Sequence, residues 1–197
     1  MKSYDRAYFE RWYRDPTDRV ATTDSLQRKV RMAVSVAEFL LGRRIRTVLD
    51  IGCGEAPWFP VLRSLRKDAS YVGVESSEYA LERYGRARNI RRGSLGELER
   101  MRLPRSIDLV VCADVLQYIE TREIARGLKS IAHLLRGVAY IETFTTADAM
   151  EGDRDHWHDR SAADYRKLFR RAGLTQCGPY CWANAARLEG LNEFEMC

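Results

Sequence analysis

The sequence predicts an α/β protein built on a mostly parallel sheet with helices on both faces, and three observations predict it. Val48, Leu49 and Ile51 form a short apolar run rich in β-branched residues, as a strand covered on both faces requires. Gly52 and Gly54 follow at once, and Pro57 then suits the first turn of a helix, giving strand, tight turn, helix. Further apolar runs at Tyr71–Glu75, Ile107–Ala113 and Val138–Glu142 alternate with stretches of helical periodicity, the pattern of repeated βαβ units.

The totals bound the rest. A chain of 197 residues is about one domain with one sizeable core. Hydrophobic content of 45% with 31% charged residues is ordinary for a soluble globular protein. Lys2, Asp5, Arg6, Glu10, Arg11 and Arg14 crowd the start, which argues against a secretory leader. The most apolar helical stretch, Ala33–Leu41, is too short to span a bilayer and contains Glu38. Five cysteines, odd in number and irregular in spacing, imply reduced thiols and a cytoplasmic location. The Cys177-x-x-x-Cys181 spacing does not match a zinc knuckle, so these two are read as structural.

Net charge is +5, with 33 Lys+Arg against 28 Asp+Glu. The basic residues cluster at Arg83, Arg86, Arg88, Arg91 and Arg92, and again at Arg166, Lys167, Arg170 and Arg171. Without interleaved aromatics to stack bases, they read as solvated helix faces, and a nucleic-acid partner is not expected.

In chain order, Tyr4, Tyr8 and Trp12 share one helical stripe with Phe9 and Tyr13 beside it, a small amphipathic helix whose aromatic face suits a cation. Asp15–Asp18 is a turn. Thr23 or Asp24 caps a helix bearing Leu26, Val30, Ala33, Ala37 and Leu40, and Gly42 ends it. A helix from Trp58 to Arg66 follows the glycine turn. The strand after it ends in Glu75, about twenty residues beyond the turn, where a carboxylate can accept from both hydroxyls of a ribose. Asn89–Leu98 gives a third strand and a loop. The fourth strand runs into a polar turn, Asp114-Val-Leu-Gln-Tyr118. A helix over Arg122–Leu135 precedes the fifth strand. Residues 143–159 then make a long polar connection of the kind that serves as a lid, ending His156-Trp157-His158. Ser161 caps a helix through Arg171, Gly173 stops it, and two strands are expected at Leu174–Trp182 and Leu191–Met196.

The segment Asp50-Ile-Gly-Cys-Gly54, with the small Ala56 two positions on, resembles the first motif of the class I S-adenosylmethionine-dependent methyltransferases, small-molecule type. A nicotinamide dinucleotide site would want a third glycine, where this chain has Pro57 followed by Trp58. The Asp114–Tyr118 turn resembles the fourth motif of the same enzymes, which often has His where Tyr118 stands. The resemblance runs from about residue 46 to the end. It implies a Rossmann-like sheet of seven strands, with the C-terminal pair contributing one antiparallel strand, and a single domain over residues 1–197. Within it, residues 1–42 form an N-terminal helical cap and 43–197 the core, with a lid at about 143–160.

The resemblance further implies S-adenosyl-L-methionine as cofactor. It would be held by Asp50, Gly52, Cys53 and Gly54, by Glu75 and Ser76, by Ser94 and Leu95, and by Ala113, Asp114 and Val115. Ser94 stands where the family often has an Asp for the adenine amino group. The acceptor would be a small molecule methylated on O or N, and the protein a monomer or homodimer. His156 or His158 is the expected base, an imidazole being suited to proton removal at neutral pH, with Trp157 walling the acceptor and Tyr118 a further catalytic candidate. No metal is expected, because no Asp-Asn pair follows the fifth strand. An RNA or protein methyltransferase, or a non-catalytic subunit of the same fold, are the alternatives.

Overall fold

In the computed structural model, residues 4–15, 17, 22–149, 153–189 and 191 are described. Seven strands form one sheet: β1 (Thr47–Ile51), β2 (Ser70–Glu75), β3 (Ile90–Arg92), β4 (Ile107–Ala113), β5 (Leu135–Glu142), β6 (Leu174–Gly178) and β7 (Cys181–Asn184), in the order β3-β2-β1-β4-β5-β7-β6. The first five pair in parallel, and β7 runs antiparallel to both β5 and β6. Strand order reverses between β1 and β4, and such a switch point opens a crevice at the carboxyl ends of the strands.

The helices are α1 (Arg6–Phe9), α2 (Thr23–Leu41), α3 (Trp58–Leu65), α4 (Glu78–Arg88), α5 (Thr121–Leu134), α6 (Ala162–Arg171) and α7 (Ala185–Leu188). A π-turn over Glu10–Arg14 extends α1, and 3₁₀ turns lie at Leu95–Arg100 and Leu116–Tyr118. Alternation along each strand splits the core into two layers. Leu49, Val110 and Ile141 pack with Ile124, Leu128 and Phe169 from α5 and α6. Val48, Leu109 and Tyr140 pack on the other face with Val30, Ala33 and Ala37 of α2 and Trp58 of α3. Of the expected N-terminal cap, α2 is thus built into the sheet's own core. Among the described residues, no helix is long and apolar enough to cross a membrane.

Local chemistry explains most boundaries. The cap of α2 is Thr22, whose side chain accepts from the Ser25 N–H, one or two residues before the caps expected from sequence. Ser161 and Asp164 form a reciprocal capping box on α6.

The C-terminal strands correct the sequence reading. Both fit within residues 174–184, because the chain reverses at Pro179–Tyr180, with Tyr180 in the left-handed region at φ 58°. The chain then enters α7, so the second strand precedes Leu191–Met196, a segment that lies outside the described residues apart from Leu191. Asp15–Asp18 also falls largely outside them; within it, the Asp15 carboxylate accepts from the Thr17 N–H.

Candidate active site

The carboxyl end of β1 turns on two glycines in the left-handed region, Gly52 at φ 64° and Gly54 at φ 55°. A Cβ on Gly52 would sit 2.5 Å from a Val115 methyl, and one on Gly54 2.5 Å from Tyr13 Oη. Both positions therefore demand glycine for conformation and for space. The N–H groups of Gly52 and Cys53 donate to the Val74 carbonyl, clamping the turn onto β2.

Glu75 ends β2 and finishes the cradle. Its Oε2 accepts from the Gly54 N–H at 2.7 Å, and Oε1 accepts from the N–H groups of Ser76 and Ser77 at 2.7 and 2.9 Å. Asp50 faces the α2–α3 layer, where the Tyr71 hydroxyl donates to it at 2.7 Å. Burial pushes the Asp50 carboxyl up to about 7; the Tyr71 hydrogen bond opposes the rise and the Glu75 charge adds to it.

Across the switch point, β4 ends in Asp114, held in the left-handed region at φ 59° by its N–H bond to the Glu142 carbonyl at 2.9 Å. The Asp114 carboxylate has no side-chain hydrogen bond to any described residue. Burial, then repulsion from Glu142, pushes it up to about 6 against the attraction of Lys29. Beside it, Glu142 accepts from Lys29 Nζ at 2.6 Å and from the Tyr140 hydroxyl at 2.8 Å.

These strand ends floor one cavity of about 670 Å³. Residues 4–15 form one wall. Tyr4, Tyr8, Phe9, Trp12 and Tyr13 line the space, Phe9 and Tyr13 meeting edge to face at 5.0 Å while Phe9 stacks on Tyr79 at 5.5 Å. The opposite wall comes from the segment after β5, through Phe144, Asp153 and Trp157, with Trp157 set edge-on to Tyr118 at 5.6 Å. Arg160 fastens the end of that segment. Its buried guanidinium donates to the carbonyls of Leu116 and Ile119 and to the Thr121 hydroxyl, at 3.2, 2.6 and 3.1 Å.

Charge in the cavity runs opposite to charge on the chain. Asp50, Glu75, Asp114, Glu123, Glu142 and Asp153 line it against one cation, Lys29, among the described residues. Also among the described residues, no group of three or more His, Cys, Asp and Glu side chains is arranged to hold a metal.

The cavity brings together Asp50, Gly52, Cys53, Gly54, Glu75, Ser76, Ser94, Leu95, Ala113, Asp114, Val115, Tyr118 and Trp157. His156 and His158 are exposed and stand outside its lining. His158 joins the site only through its backbone N–H, which donates to the Gln117 carbonyl at 2.8 Å. Tyr118 donates to the Asp153 carbonyl at 2.9 Å, and burial raises its phenol well above the ordinary tyrosine value, away from service as a base. Sequence reasoning missed Lys29, Gln117, Glu123, Phe144 and Asp153 as lining residues and gave Glu142 no role. Only the place of Glu142 at the end of a parallel strand offered a signal.

A sheet in the order β3-β2-β1-β4-β5-β7-β6 with β7 antiparallel, and a glycine turn and strand-end acid at its switch point, is the Rossmann-like methyltransferase fold. A family profile described as a methyltransferase domain matches residues 7–178, and the chain belongs to this family. It is a class I S-adenosylmethionine-dependent methyltransferase with that molecule as cofactor.

Solved structures agree in fold. An S-adenosylmethionine-dependent methyltransferase from Archaeoglobus fulgidus is 14% identical with a TM-score of 0.66, covering 85% of this chain and 73% of its own. DesVI from Streptomyces venezuelae is 19% identical with a TM-score of 0.59, covering 81% and 93%. The O-methyltransferase NcsB1 from neocarzinostatin biosynthesis, solved with S-adenosylhomocysteine and 1,4-dihydroxy-2-naphthoic acid, is 17% identical with a TM-score of 0.56, covering 71% and 49%. No curated protein matches the sequence.

Proposed function

We propose that the protein transfers a methyl group to an oxygen or nitrogen of a small molecule held in the aromatic half of the cavity. One observation carries this reading: the glycine turn and the aromatic walls border a single space of about 670 Å³. Small-ligand sites span roughly 300–1,000 Å³, so the space suits a nucleoside cofactor with a modest acceptor. The walls contributed by residues 4–15 and by Phe144, Asp153 and Trp157 favour an enclosed acceptor over a polymer. Part of the first basic cluster is engaged within the fold. Arg92 is paired with Glu78, Arg91 donates to the Arg102 carbonyl, and Arg88 lies 4.4 Å from the Tyr84 ring.

The residues fit S-adenosylmethionine. Gly52 and Gly54, both in the left-handed region, turn the chain sharply at the cavity floor, and both line the space where a ligand would lie. In this reading Asp50, Gly52, Cys53 and Gly54 hold the amino-acid end, Glu75 and Ser76 the ribose, and Ser94 and Leu95 the adenine. Ala113, Asp114 and Val115 border the methyl. Bound there, the cofactor supplies a methyl already activated by a positively charged sulfur. The chain's own work is then to hold the acceptor atom in line with that methyl and to exclude water. Tyr118, Phe144 and Trp157 are assigned to packing the acceptor.

Calorimetric titration tests the assignment. S-adenosylmethionine and S-adenosylhomocysteine should bind in the micromolar range, and nicotinamide dinucleotides should not. Comparable affinity for a nicotinamide dinucleotide would overturn it.

A further inference from the structure

We propose that the acceptor is an amine, bound as its ammonium by the Asp114 carboxylate, which then takes the proton that frees the nitrogen for methylation. The inference rests on the methyltransferase reading above and narrows its acceptor from oxygen or nitrogen to nitrogen.

The argument starts from which cavity charges are already matched. Glu75 takes three backbone N–H groups, and Asp50 takes the Tyr71 hydroxyl and is disposed by burial to keep its proton. Glu123 takes the Ser94 hydroxyl and the Gly96 N–H, and Asp153 takes the Asp155 N–H. Glu142 is neutralised by Lys29 at 2.6 Å and takes the Tyr140 hydroxyl as well. Asp114 is left with a carboxylate lining the cavity and no hydrogen-bond donor from any described residue. A partly exposed carboxylate with no donor of its own, facing a cavity lined by other acids, favours a cationic ligand.

The backbone adds a second observation. Asp114 sits in the left-handed region at φ 59°, a conformation that costs free energy at a residue other than glycine and persists when the surroundings enforce it. Here the bond from its N–H to the Glu142 carbonyl and the packing of Val115 against Gly52 fix it between the glycine turn and the aromatic walls. The walls suit the same ligand, because aromatic faces attract an ammonium and bury the carbon skeleton next to it. An anionic acceptor would meet an excess of acids with the one lysine already engaged. An alcohol would bring Asp114 no cation beyond the sulfonium of the cofactor itself.

The chemistry balances with groups at hand. Asp114 accepts a proton from the ammonium, freeing the nitrogen lone pair. That pair forms the N–C bond as the C–S bond breaks with its electrons retained on sulfur. The proton then leaves Asp114 for solvent. Burial, which raises the proton affinity of this carboxyl to about 6, suits it to accept a proton and release it near neutral pH.

The test uses the full chain saturated with S-adenosylhomocysteine and three probes of matched size: 2-phenylethylamine, 2-phenylethanol and 3-phenylpropionate. Calorimetry should find the amine bound at least tenfold tighter than the alcohol, and the carboxylate weakest. D114N is the key variant, since asparagine tolerates a left-handed backbone. It should cut amine affinity at least tenfold and abolish the preference over the alcohol, both read with S-adenosylhomocysteine saturating. A second variant, K29Q, leaves Asp114 in place and removes a competing cation, so it should tighten the amine threefold or more. The inference is overturned if the amine binds no tighter than the alcohol, if the carboxylate binds best, if D114N keeps the preference, or if K29Q loosens the amine. Any of these with S-adenosylhomocysteine binding intact defeats only the amine assignment. Failure of S-adenosylhomocysteine to bind defeats the cofactor reading with it.

Discussion

Replacing Glu75 tests the cofactor cradle and the fold in one experiment, because its carboxylate serves both. Its Oε2 receives the Gly54 N–H and its Oε1 the N–H groups of Ser76 and Ser77. Gly54 and Ser77 are buried, whereas Ser76 is exposed and finds water when the acid is removed. Glu75→Ala therefore orphans two buried donors, at about 1–2 kcal/mol each, and should lower folding stability by about 2–4 kcal/mol. Glu75→Gln can keep its oxygen on Ser76 and Ser77. It then turns its amide nitrogen toward the Gly54 N–H, donor against donor, and should lose about 1–2 kcal/mol. Cofactor affinity should fall further in alanine than stability explains. Loss of a charged acceptor for two ribose hydroxyls removes about 2–3 kcal/mol of binding, or roughly 30- to 150-fold in Kd.

Urea unfolding gives the stability ranking, parent above glutamine above alanine, and titration of S-adenosylhomocysteine at a temperature where all three are folded gives the affinities. An alanine variant as stable as the parent would refute the structural half of the argument. An unchanged Kd beside a clear loss of stability would refute the binding half and leave Glu75 as a clamp on the turn alone.

Three further outcomes follow from the same geometry. The Asp50 carboxyl, raised by burial to about 7 from an ordinary value of 3.8, holds its proton more tightly in the folded state than in the unfolded chain. The contribution of this group to stability should therefore be full below about pH 4 and be lost as pH rises through 7, on the order of a few kcal/mol; Asp50→Asn should flatten that part of the pH profile, and an unchanged profile would refute the assignment. Arg160→Met removes three hydrogen bonds, one buried and two part-buried, that pin the end of the 143–160 segment to the Leu116–Thr121 turn. Amide exchange there should speed up at least tenfold with β1 and β4 unaffected, and a uniform change across the sheet would mean that Arg160 acts globally. Alanine at both His156 and His158 should alter turnover by less than about threefold, since neither side chain lines the cavity; a loss near 10²-fold with unchanged S-adenosylhomocysteine affinity would make one of them the base.

What could be read from the sequence was whatever depends on neighbours along the chain. The run from Val48 to Pro57 dictates strand, turn and helix locally, and Glu75 is recognisable because a strand's period and direction fix which end faces the crevice. The same logic misplaced the last strand. Phe194 and Met196 alternate with glutamates in the pattern of an edge strand, while the partner of β6 among the described residues is the four-residue run Cys181–Asn184, admitted by a turn at Pro179–Tyr180 that carries no glycine at its left-handed position. The histidine expectation had the same limit. Position after β5 predicts that a segment reaches the cavity, as Phe144, Asp153 and Trp157 do, but not which side chains face inward.

The acid-rich chamber lies further out of reach. Lys29 and Glu142 are 113 residues apart, on a helix and a strand end that meet only because α2 packs across β5. Nothing local marks Lys29 as the residue that cancels Glu142, so nothing local marks Asp114 as the acid left over. Net charge misleads here: the chain is basic by five charges, yet its cavity is acidic, because the arginines are spent on helix faces and internal pairs. A surface that carries the charge of the whole chain and a pocket that opposes it can be selected separately, and the pocket is the part an acceptor meets.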